Sequence, residues 1–301
     1  MTGYLVAVKK FKSADDDPIF LKSSIREVKL LRSLKHPNIV ELRDVYKRFV
    51  MNATILSFDI RNGKLFLVFE FMDKNLLEVL HEYHPSGFEQ SRLRSTVYQI
   101  IRGIEYCHRV RVIHRDIKPE NILMNLADMS VKICDFGLAR LMPSDGKSLL
   151  TDYVATRWYR APELVVGSPN YGPGIDVFAA GCIMAELADG EPLLPGDSEI
   201  SQLGIIAKVL GPIPHGLMGT FNSNQPTLSA ISDDPAHHQD IEERFLTRLS
   251  LKAVRILRQL VQVDPEKRVS AKMALLDPYF ENDLTDYGRM DRNLFSLPLT
   301  T

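Results

Sequence analysis

The chain of 301 residues has only three cysteines, Cys107, Cys134 and Cys182, and none of them forms a CxxC pair. A disulfide framework or a zinc ribbon needs paired cysteines, so the sequence favours neither and fits a reducing cytoplasmic or nuclear interior. An excess of charge of one sign is also lacking, because 37 Lys and Arg face 38 Asp and Glu. Neither nucleic acid nor an anionic membrane is therefore expected as the main partner.

Long apolar runs are lacking as well. The most membrane-like segment, VFAAGCIMAELADG, is apolar for about ten residues before Glu186, whereas a membrane-spanning helix needs roughly 20. This segment predicts a buried helix. The start of the chain does not read as a signal peptide, since YLVAV is short and is followed by lysines and then by DDD. We therefore expect no membrane span and no secretory route.

The character of the sequence changes along the chain. Strands are predicted at residues 4–11 and at KLFLVFEFM, and apolar residues at helical spacing predict a helix at 25–34 between them. Farther along, helical periodicity dominates, as in FEQSRLRSTVYQIIRGIEYCHR. The sequence thus predicts an α+β fold with a small, strand-rich part at 1–72 and a larger, mostly helical part at 73–301.

Two stretches depart from this order. Residues 49–60, FVMNATILSFDI, are strongly apolar where a short turn between two strands is expected. Residues 220–240 are polar and rich in turn formers, which predicts a surface loop. Within that loop, His237 and His238 favour a solvated pair over a metal site, because no carboxylate or cysteine partner lies at ligand spacing.

The residues that carry chemistry lie in VIHRDIKPENILM and KICDFGLAR. Asp116 precedes Asn121 by five residues, and Asp135 follows Asp116 by nineteen. Phosphoryl transfer needs one carboxylate to orient a hydroxyl nucleophile and accept its proton. It also needs an amide oxygen and a second carboxylate to hold the Mg²⁺ that neutralises the phosphates. Either motif alone is weak, since an isolated Asp or Asn is most often a turn former, but together they are strong.

These two segments resemble the catalytic and metal-binding loops of eukaryotic protein kinases. The resemblance implies a bilobal kinase fold with an antiparallel small-lobe sheet and a mostly helical large lobe. It implies that Asp116 is the catalytic base and that Lys118 contacts the transferred phosphate. Asn121 and Asp135 are the implied Mg²⁺ ligands, and ATP is the implied phosphate donor.

Two further segments resemble the ATP-binding side of a kinase. In VAVK, Lys9 matches the lysine that pairs with the α and β phosphates, and Glu27 matches the glutamate that clamps this lysine. VFEFMDKN resembles the hinge between the lobes, with Phe69 behind the adenine pocket. The residues implied to contact the adenine are Glu70 and Met72 through their backbones, and Ala7 and Leu123 on the two faces of the ring.

TDYVATRWYRAPEL resembles a kinase activation segment. Thr151 and Tyr153, separated by one acidic residue, resemble the dual phosphorylation site of mitogen-activated protein kinases and their relatives; an unmodified solvated turn is the alternative. Phosphate on either residue would add roughly −1.5 to −2 charges and could pair with Arg115, Arg157 or Arg160.

Three structural roles follow from the same resemblance. Glu163, at the end of this segment, would form an ion pair with Arg268 of DPEKRVSA. Asp176 would cap a buried helix and brace the catalytic loop. Phe178 stands where the family usually has Trp, and a small effect on packing is expected.

ATRWYRAPEL, TDY, KNLLEVL and DGEPLLPGDSEISQLGIIAKVLGPIP together are most similar to the cyclin-dependent-kinase-like family, over roughly residues 3–281. The resemblance implies protein substrates with Ser or Thr followed by Pro. It also implies an upstream dual-specificity kinase as a partner. A cyclin-like partner is not supported by any pattern around KSSIRE.

One family element is missing from the sequence. Kinases cover the ATP phosphates with a G-x-G-x-x-G loop between two strands, and no such loop precedes Lys9. We therefore expect a small lobe that lacks its first two strands and leaves the Lys9 strand as an exposed apolar edge. Two alternatives stay open beside an active kinase: a catalytically impaired kinase-fold binding protein, and an incomplete gene model.

Overall fold

The structure is a computed structural model, and it describes residues 5–10, 27–49, 63–142, 157–218 and 241–281. Several sequence expectations lie outside these residues. They are the phosphorylation sites Thr151 and Tyr153, the apolar stretch after Phe49, and the polar loop with His237 and His238.

A three-stranded antiparallel sheet comes first. Its strands are β1 (Val6–Lys10), β2 (Leu42–Phe49) and β3 (Gly63–Glu70), in the spatial order β1-β3-β2. Helix α1 spans residues 27–33 and buries Leu30 and Leu31 in the core. A side-chain contact joins β1 to α1, because Lys9 Nζ lies 2.7 Å from Glu27 Oε1.

The β1 strand forms one edge of the sheet within the described residues. Its register pairs Ala7 with Phe69 and Lys9 with Leu67 of β3. Because side chains alternate along a strand, Ala7 and Lys9 share the face of the buried Leu67, whereas Val6 and Val8 lie on the other face. Val6 and Val8 are 43% and 49% exposed. The strand therefore presents two apolar side chains to solvent.

The rest of the described chain is mostly helical. Short strands carry the loops of the site: β4 (Lys74–Asn75), β5 (Val112–Ile113), β6 (Ile122–Met124), β7 (Val131–Ile133) and β8 (Arg140–Leu141). The helices are α2 (Leu76–Tyr83), α3 (Gln90–Arg109), α4 (Pro162–Val165), α5 (Gly174–Asp189), α6 (Glu199–Leu210), α7 (His215–Met218), α8 (Ile241–Phe245), α9 (Leu251–Leu260) and α10 (Ala271–Leu275).

Helix α5 is the centre of this helical part. Nearly all of its side chains are buried, which matches the sequence prediction of a buried helix in VFAAGCIMAELADG. Gly181 lets α9 approach closely, since a Cβ atom there would lie 2.6 Å from Val261 Cγ1 and 2.8 Å from Leu260 Cβ. In the described part of the chain, no helix combines the length and the apolar character that crossing a membrane requires.

Candidate active site

The Lys9 ammonium bridges the small sheet and the larger helical part. Its Nζ lies 2.7 Å from Glu27 Oε1 and 3.0 Å from Asp135 Oδ1. Burial disfavours the charged ammonium, but the two carboxylates outweigh it and raise the pKa of Lys9 above its ordinary value. Lys9 in turn holds the pKa of Asp135 below its usual range, against the effect of burial. The lysine is therefore a fixed cation beside a carboxylate.

The predicted hinge follows β3. Phe69 is buried, and the backbone N–H of Glu70 donates to the carbonyl oxygen of Glu41 at 3.2 Å. The Glu70 side chain accepts from Glu41 N at 2.7 Å and from Lys132 Nζ at 3.0 Å. Since its N–H is already used, Glu70 could meet an adenine only through its backbone carbonyl. The tie to Lys132 was not predicted from the sequence.

The other predicted adenine contacts lie close to this hinge in the fold. Ala7 is opposite Phe69 in the β1-β3 register, and Met72 lies two residues after the end of β3 and is half-buried. Leu123 lies in β6, half-buried and opposite Lys132 of β7. Because Lys132 also contacts Glu70, the β6-β7 hairpin is joined to the hinge.

The catalytic loop brings together Asp116, Lys118 and Asn121. Asn121 Nδ2 donates to the Asp116 backbone carbonyl and to Asp116 Oδ2, both at 2.8 Å. Lys118 Nζ lies 3.2 Å from the same Oδ2 atom. Asn121 is buried at the end of the short turn Pro119–Asn121, which fixes its amide. The Asp116 carboxylate is thus oriented from two sides.

Asp176 anchors this loop from helix α5. Its Oδ2 accepts from His114 N at 2.9 Å, and its Oδ1 accepts from Arg115 N at 2.8 Å. Its Oδ2 also lies 2.9 Å from His108 Nε2. Burial favours the neutral acid, but the contacts with these histidines and the Arg115 N–H keep the pKa of Asp176 below its ordinary value.

The expectation that Asp176 caps its helix is wrong. Helix α5 begins at Gly174 after Pro173, and no side chain caps its N-terminus. Asp176 lies within the first turn, and its oxygens are taken by the loop that holds Arg115 in a left-handed conformation with φ of 73°. A carboxylate that satisfies two N–H groups of a strained loop is not available to its own helix.

The segment with Asp135 is tied to the same loop. Asp135 adopts φ of 62° and precedes the short turn Phe136–Leu138. Phe136 is fully buried with its ring centroid 4.8 Å from that of His114, and His114 Nε2 lies 2.9 Å from the Cys134 carbonyl oxygen. Burial raises the pKa of the Cys134 thiol to about 12, so this cysteine stays protonated.

The predicted phosphate-binding arginines converge only in part. One small cavity is lined by Arg115 and Arg160 together with Asp116 and Lys118. Arg157 begins the short turn Arg157–Tyr159, and its carbonyl accepts from Arg160 N at 3.0 Å. Arg140 lies opposite Ile113 in the β5-β8 pairing, and Ile113 is two residues before Arg115. The phosphate acceptors predicted for these arginines lie outside the described residues.

Glu163 and Arg268 form a buried, two-pronged ion pair. Arg268 Nη1 lies 2.6 Å from Glu163 Oε1, and Arg268 Nη2 lies 3.0 Å from Glu163 Oε2. The two side chains are 0% and 1% exposed. The Arg268 guanidinium also stacks 5.0 Å from the Phe178 ring centroid, so the Phe at this position packs against the pair.

The buried carboxyl of Glu186 was missed by sequence reasoning. Glu186 of α5 accepts a hydrogen bond of 2.7 Å from the Tyr159 hydroxyl, and Glu186 is 2% exposed. Burial, with a smaller contribution from the Glu120 carboxylate, raises the pKa of Glu186 to about 7. Tyr159 lies in TDYVATRWYRAPEL and Glu186 in the apolar segment VFAAGCIMAELADG, but neither pattern links the two residues, and only the apolar neighbours of Glu186 signal its burial.

The oxygen donors at Asn121 and Asp135 fit Mg²⁺. Mg²⁺ prefers oxygen ligands and usually takes one or two from the protein, with the others from water and substrate phosphates. Asn121 uses its Nδ2 for Asp116, which directs its Oδ1 elsewhere, and Asp135 is 46% exposed at its side chain. Among the described residues no cluster of three or more His, Cys, Asp or Glu could hold a metal by itself. This sparse donor set is suited to a metal that is shared with phosphates.

The protein kinase domain model matches residues 1–280. This chain belongs to the protein kinase family. The chain is 42% identical over 281 residues to cyclin-dependent kinase-like 5 of Mus musculus. The aligned residues are 93% of this chain and 28% of the mouse protein. The chain is 39% identical to cyclin-dependent kinase-like 4 of Mus musculus, with 93% of this chain and 77% of the relative covered. Cyclin-dependent kinase-like 2 of Homo sapiens is 40% identical, over 94% of this chain and 54% of its own length.

These findings confirm the predicted family and the α+β kinase fold. They also confirm the similarity to cyclin-dependent-kinase-like proteins. The kinase spans only 28% of the length of the cyclin-dependent kinase-like 5 proteins of mouse and human. Protein kinases as a class use ATP with Mg²⁺ and act on proteins.

Proposed function

We propose that this chain transfers the γ-phosphate of Mg-ATP to Ser or Thr of protein substrates. One observation carries the proposal: Asp116, Lys118 and Asn121 contact one another, while Lys9 joins Glu27 to Asp135. Phosphoryl transfer requires a base, a pair of side chains that hold the metal, and a cation that positions the phosphates.

Each of these residues has a distinct role in the proposal. Asp116 orients the substrate hydroxyl and accepts its proton, which contributes about 10²- to 10⁴-fold as general base. Lys118 stabilises charge on the transferred phosphoryl group, and Lys9, held by Glu27, positions the α and β phosphates. Asn121 and Asp135 would hold Mg²⁺, which neutralises phosphate charge. Ala7, Phe69, Glu70, Met72 and Leu123 would enclose the adenine.

The finer specificity rests on the resemblance alone. We propose a preference for Ser or Thr followed by Pro, and activation through Thr151 and Tyr153 by an upstream dual-specificity kinase. Phosphate on those residues would be paired by Arg115, Arg157 and Arg160. The division into lobes at residues 72 and 73 and a cytoplasmic or nuclear location belong to the same proposal.

The test compares Asp116→Asn with Asp128→Asn. Asp128 lies in the turn between β6 and β7, where it accepts from Ser130 N, so its loss should leave transfer intact. With labelled ATP and a Ser-Pro peptide, Asp116→Asn should lower the turnover by about 10²-fold or more. Equal turnover of wild type and Asp116→Asn would refute the assignment, provided that both melt at the same temperature.

The exposure of the phosphate-facing pair favours a second candidate, a kinase-fold protein that binds partners without catalysis. The Lys9 and Asp135 side chains are 37% and 46% exposed, and an ion pair between exposed side chains contributes only about 0–1 kcal/mol. Melting the chain with and without Mg-ATP separates the two candidates, because nucleotide binding to the folded state must raise the melting temperature. A rise that Lys9→Met abolishes supports the enzyme, and no rise at millimolar nucleotide supports the binding protein.

A further inference from the structure

The buried carboxyl of Glu186 joins helix α5 to the short turn that contains Trp158 and Tyr159. The Tyr159 hydroxyl donates to Glu186 Oε2 at 2.7 Å, and Glu186 is 2% exposed. Helix α5 is buried along nearly its whole length, whereas the turn Arg157–Tyr159 has only three residues. This hydrogen bond therefore ties a short segment to a helix that the core holds in place.

The charges around Glu186 disfavour its ionised form. Among the described residues, the charged groups that act on it most strongly are the carboxylates of Glu120, Asp189 and Glu191. Asp189 is paired with Arg244 at 2.7 Å, but Glu120 Oε2 is buried and has no hydrogen-bond partner within the described part of the chain. An ionised Glu186 would therefore be a buried anion beside the Glu120 carboxylate, with the Tyr159 hydroxyl as its main compensation.

Two other titratable groups beside Glu186 keep their protons near neutral pH. Burial and the contact with Glu186 raise the pKa of Tyr159 well above its ordinary value, so its hydroxyl remains the donor. Burial likewise raises the pKa of the Cys182 thiol, which lies one turn earlier on α5. Burial raises the pKa of Glu186 to about 7, against the effect of the Tyr159 hydrogen bond. Glu186 therefore changes charge near neutral pH.

We propose that the contact between Glu186 and Tyr159 is a pH-sensitive link: the protonated carboxyl holds the turn against α5, and loss of its proton to solvent releases the turn and admits water to the carboxylate. Water is the compensation that a buried anion lacks, and the turn is the element that can move to admit it. Tyr159 also lines the cavity that contains Asp116 and Lys118, so release of the turn would open one wall of that cavity. This inference does not depend on the proposed phosphoryl transfer.

The turn contains its own reporter. Trp158 is the single tryptophan of the chain, and its Nε1 donates to the Gly196 carbonyl oxygen at 3.1 Å. The fluorescence of the full chain therefore follows the turn without any substrate. As the pH rises from about 5.5 to 8.5, the emission should move to longer wavelength and quenching by acrylamide should increase, with a midpoint near pH 7. Glu186→Gln keeps an acceptor for the hydroxyl but cannot ionise, so it should show no transition.

Three further variants separate this link from a contact that is merely structural. Glu199→Gln removes an exposed carboxylate at the start of α6 and should leave the midpoint unchanged. Glu120→Gln should lower the midpoint, because the Glu120 carboxylate opposes ionisation of Glu186. Tyr159→Phe should raise it, because the hydroxyl favours ionisation. Each of these two shifts should reach up to about one pH unit.

The proposal is overturned if the wild type shows no transition over this pH range, or if Glu186→Gln retains the same transition. It is also overturned if Glu120→Gln and Tyr159→Phe both leave the midpoint where it is in the wild type, since another group would then be titrating. Circular dichroism checks that each variant is folded at both ends of the pH range.

Discussion

Lys132 Nζ lies 3.0 Å from Glu70 Oε1, and the same Glu70 oxygen accepts from Glu41 N at 2.7 Å. The hinge glutamate is thus held from both sides, by a strand next to Asp135 and by the segment before β2. Both side chains of the ion pair are mostly buried, at 17% and 15% exposed. The segment at the end of β3 is thus fixed to the same β7 strand that leads into Asp135.

Lys9→Met should abolish most of the proposed phosphoryl transfer. The ammonium contacts both Glu27 and Asp135, and removing one preorganised cation from a transition state costs roughly 10²- to 10³-fold in turnover. Lys10→Met is the matched control, because the neighbouring lysine points to the opposite face of β1 and is exposed. Labelled ATP and a Ser-Pro peptide provide the assay. Similar losses for the two variants would contradict the role given to Lys9.

Arg268→Gln should destabilise the fold far more than Arg258→Gln. The first change leaves the Glu163 carboxylate buried without its cation, which costs about 3–5 kcal/mol. The second breaks an exposed pair with Glu242 and should cost less than about 1 kcal/mol. Urea denaturation gives both free energies of unfolding. Comparable losses would mean that the buried pair is not a structural link.

Glu186 should make the stability fall as the pH rises. Its pKa is raised to about 7 in the fold, above the ordinary value of 4.5, so the folded state holds the proton more tightly than the unfolded state. Its contribution is full below about pH 4.5 and is lost as the pH rises through 7.

The measurement compares the melting temperature of wild type and Glu186→Gln from pH 5 to pH 8. The glutamine cannot ionise, and its curve should lack the fall over this range that the wild type shows. Parallel curves for the two proteins would argue against a raised pKa at Glu186.

Gly181→Ala should destabilise the chain, whereas Gly204→Ala should stabilise it. A methyl group at Gly181 would meet Val261 Cγ1 at 2.6 Å and Leu260 Cβ at 2.8 Å, and such overpacking costs roughly 1–3 kcal/mol. Gly204 lies in helix α6 with no atom within 4 Å of an added Cβ, so alanine there should add about 0.5–1 kcal/mol through helix propensity. Chemical denaturation of both variants checks the opposite signs.

Local motifs made much of the site predictable. Asp116 and Asn121 are five residues apart, and the structure joins them directly because one tight turn connects them. The Lys9 and Glu27 contact spans eighteen residues, and a strand beside a helix was visible from the apolar spacing. Family and fold class followed from these motifs taken in order.

Contacts between distant, unpatterned residues could not be predicted in this way. Tyr159 and Glu186 are 27 residues apart, and nothing in a local pattern shows that a tyrosine hydroxyl reaches that carboxyl. Asp176 was misjudged for a related reason. An aspartate near a helix start usually serves as its N-cap, but here the N–H groups of a loop 62 residues earlier compete for it.

Because Asp176 of α5 holds the loop before Asp116, the residues of the candidate site lie on two different supports, helix α5 and the small sheet. Asp116 follows Arg115, whose N–H donates to Asp176 of α5, whereas Lys9 lies on β1 and reaches Asp135 only through its side chain. In the proposed mechanism, a rotation of the sheet relative to α5 would move the Lys9 ammonium and the phosphates that it positions, but not the contacts of Asp116 with Lys118 and Asn121. The proposed phosphate-positioning side of the site thus depends on the sheet, whereas the orientation of the proposed base does not.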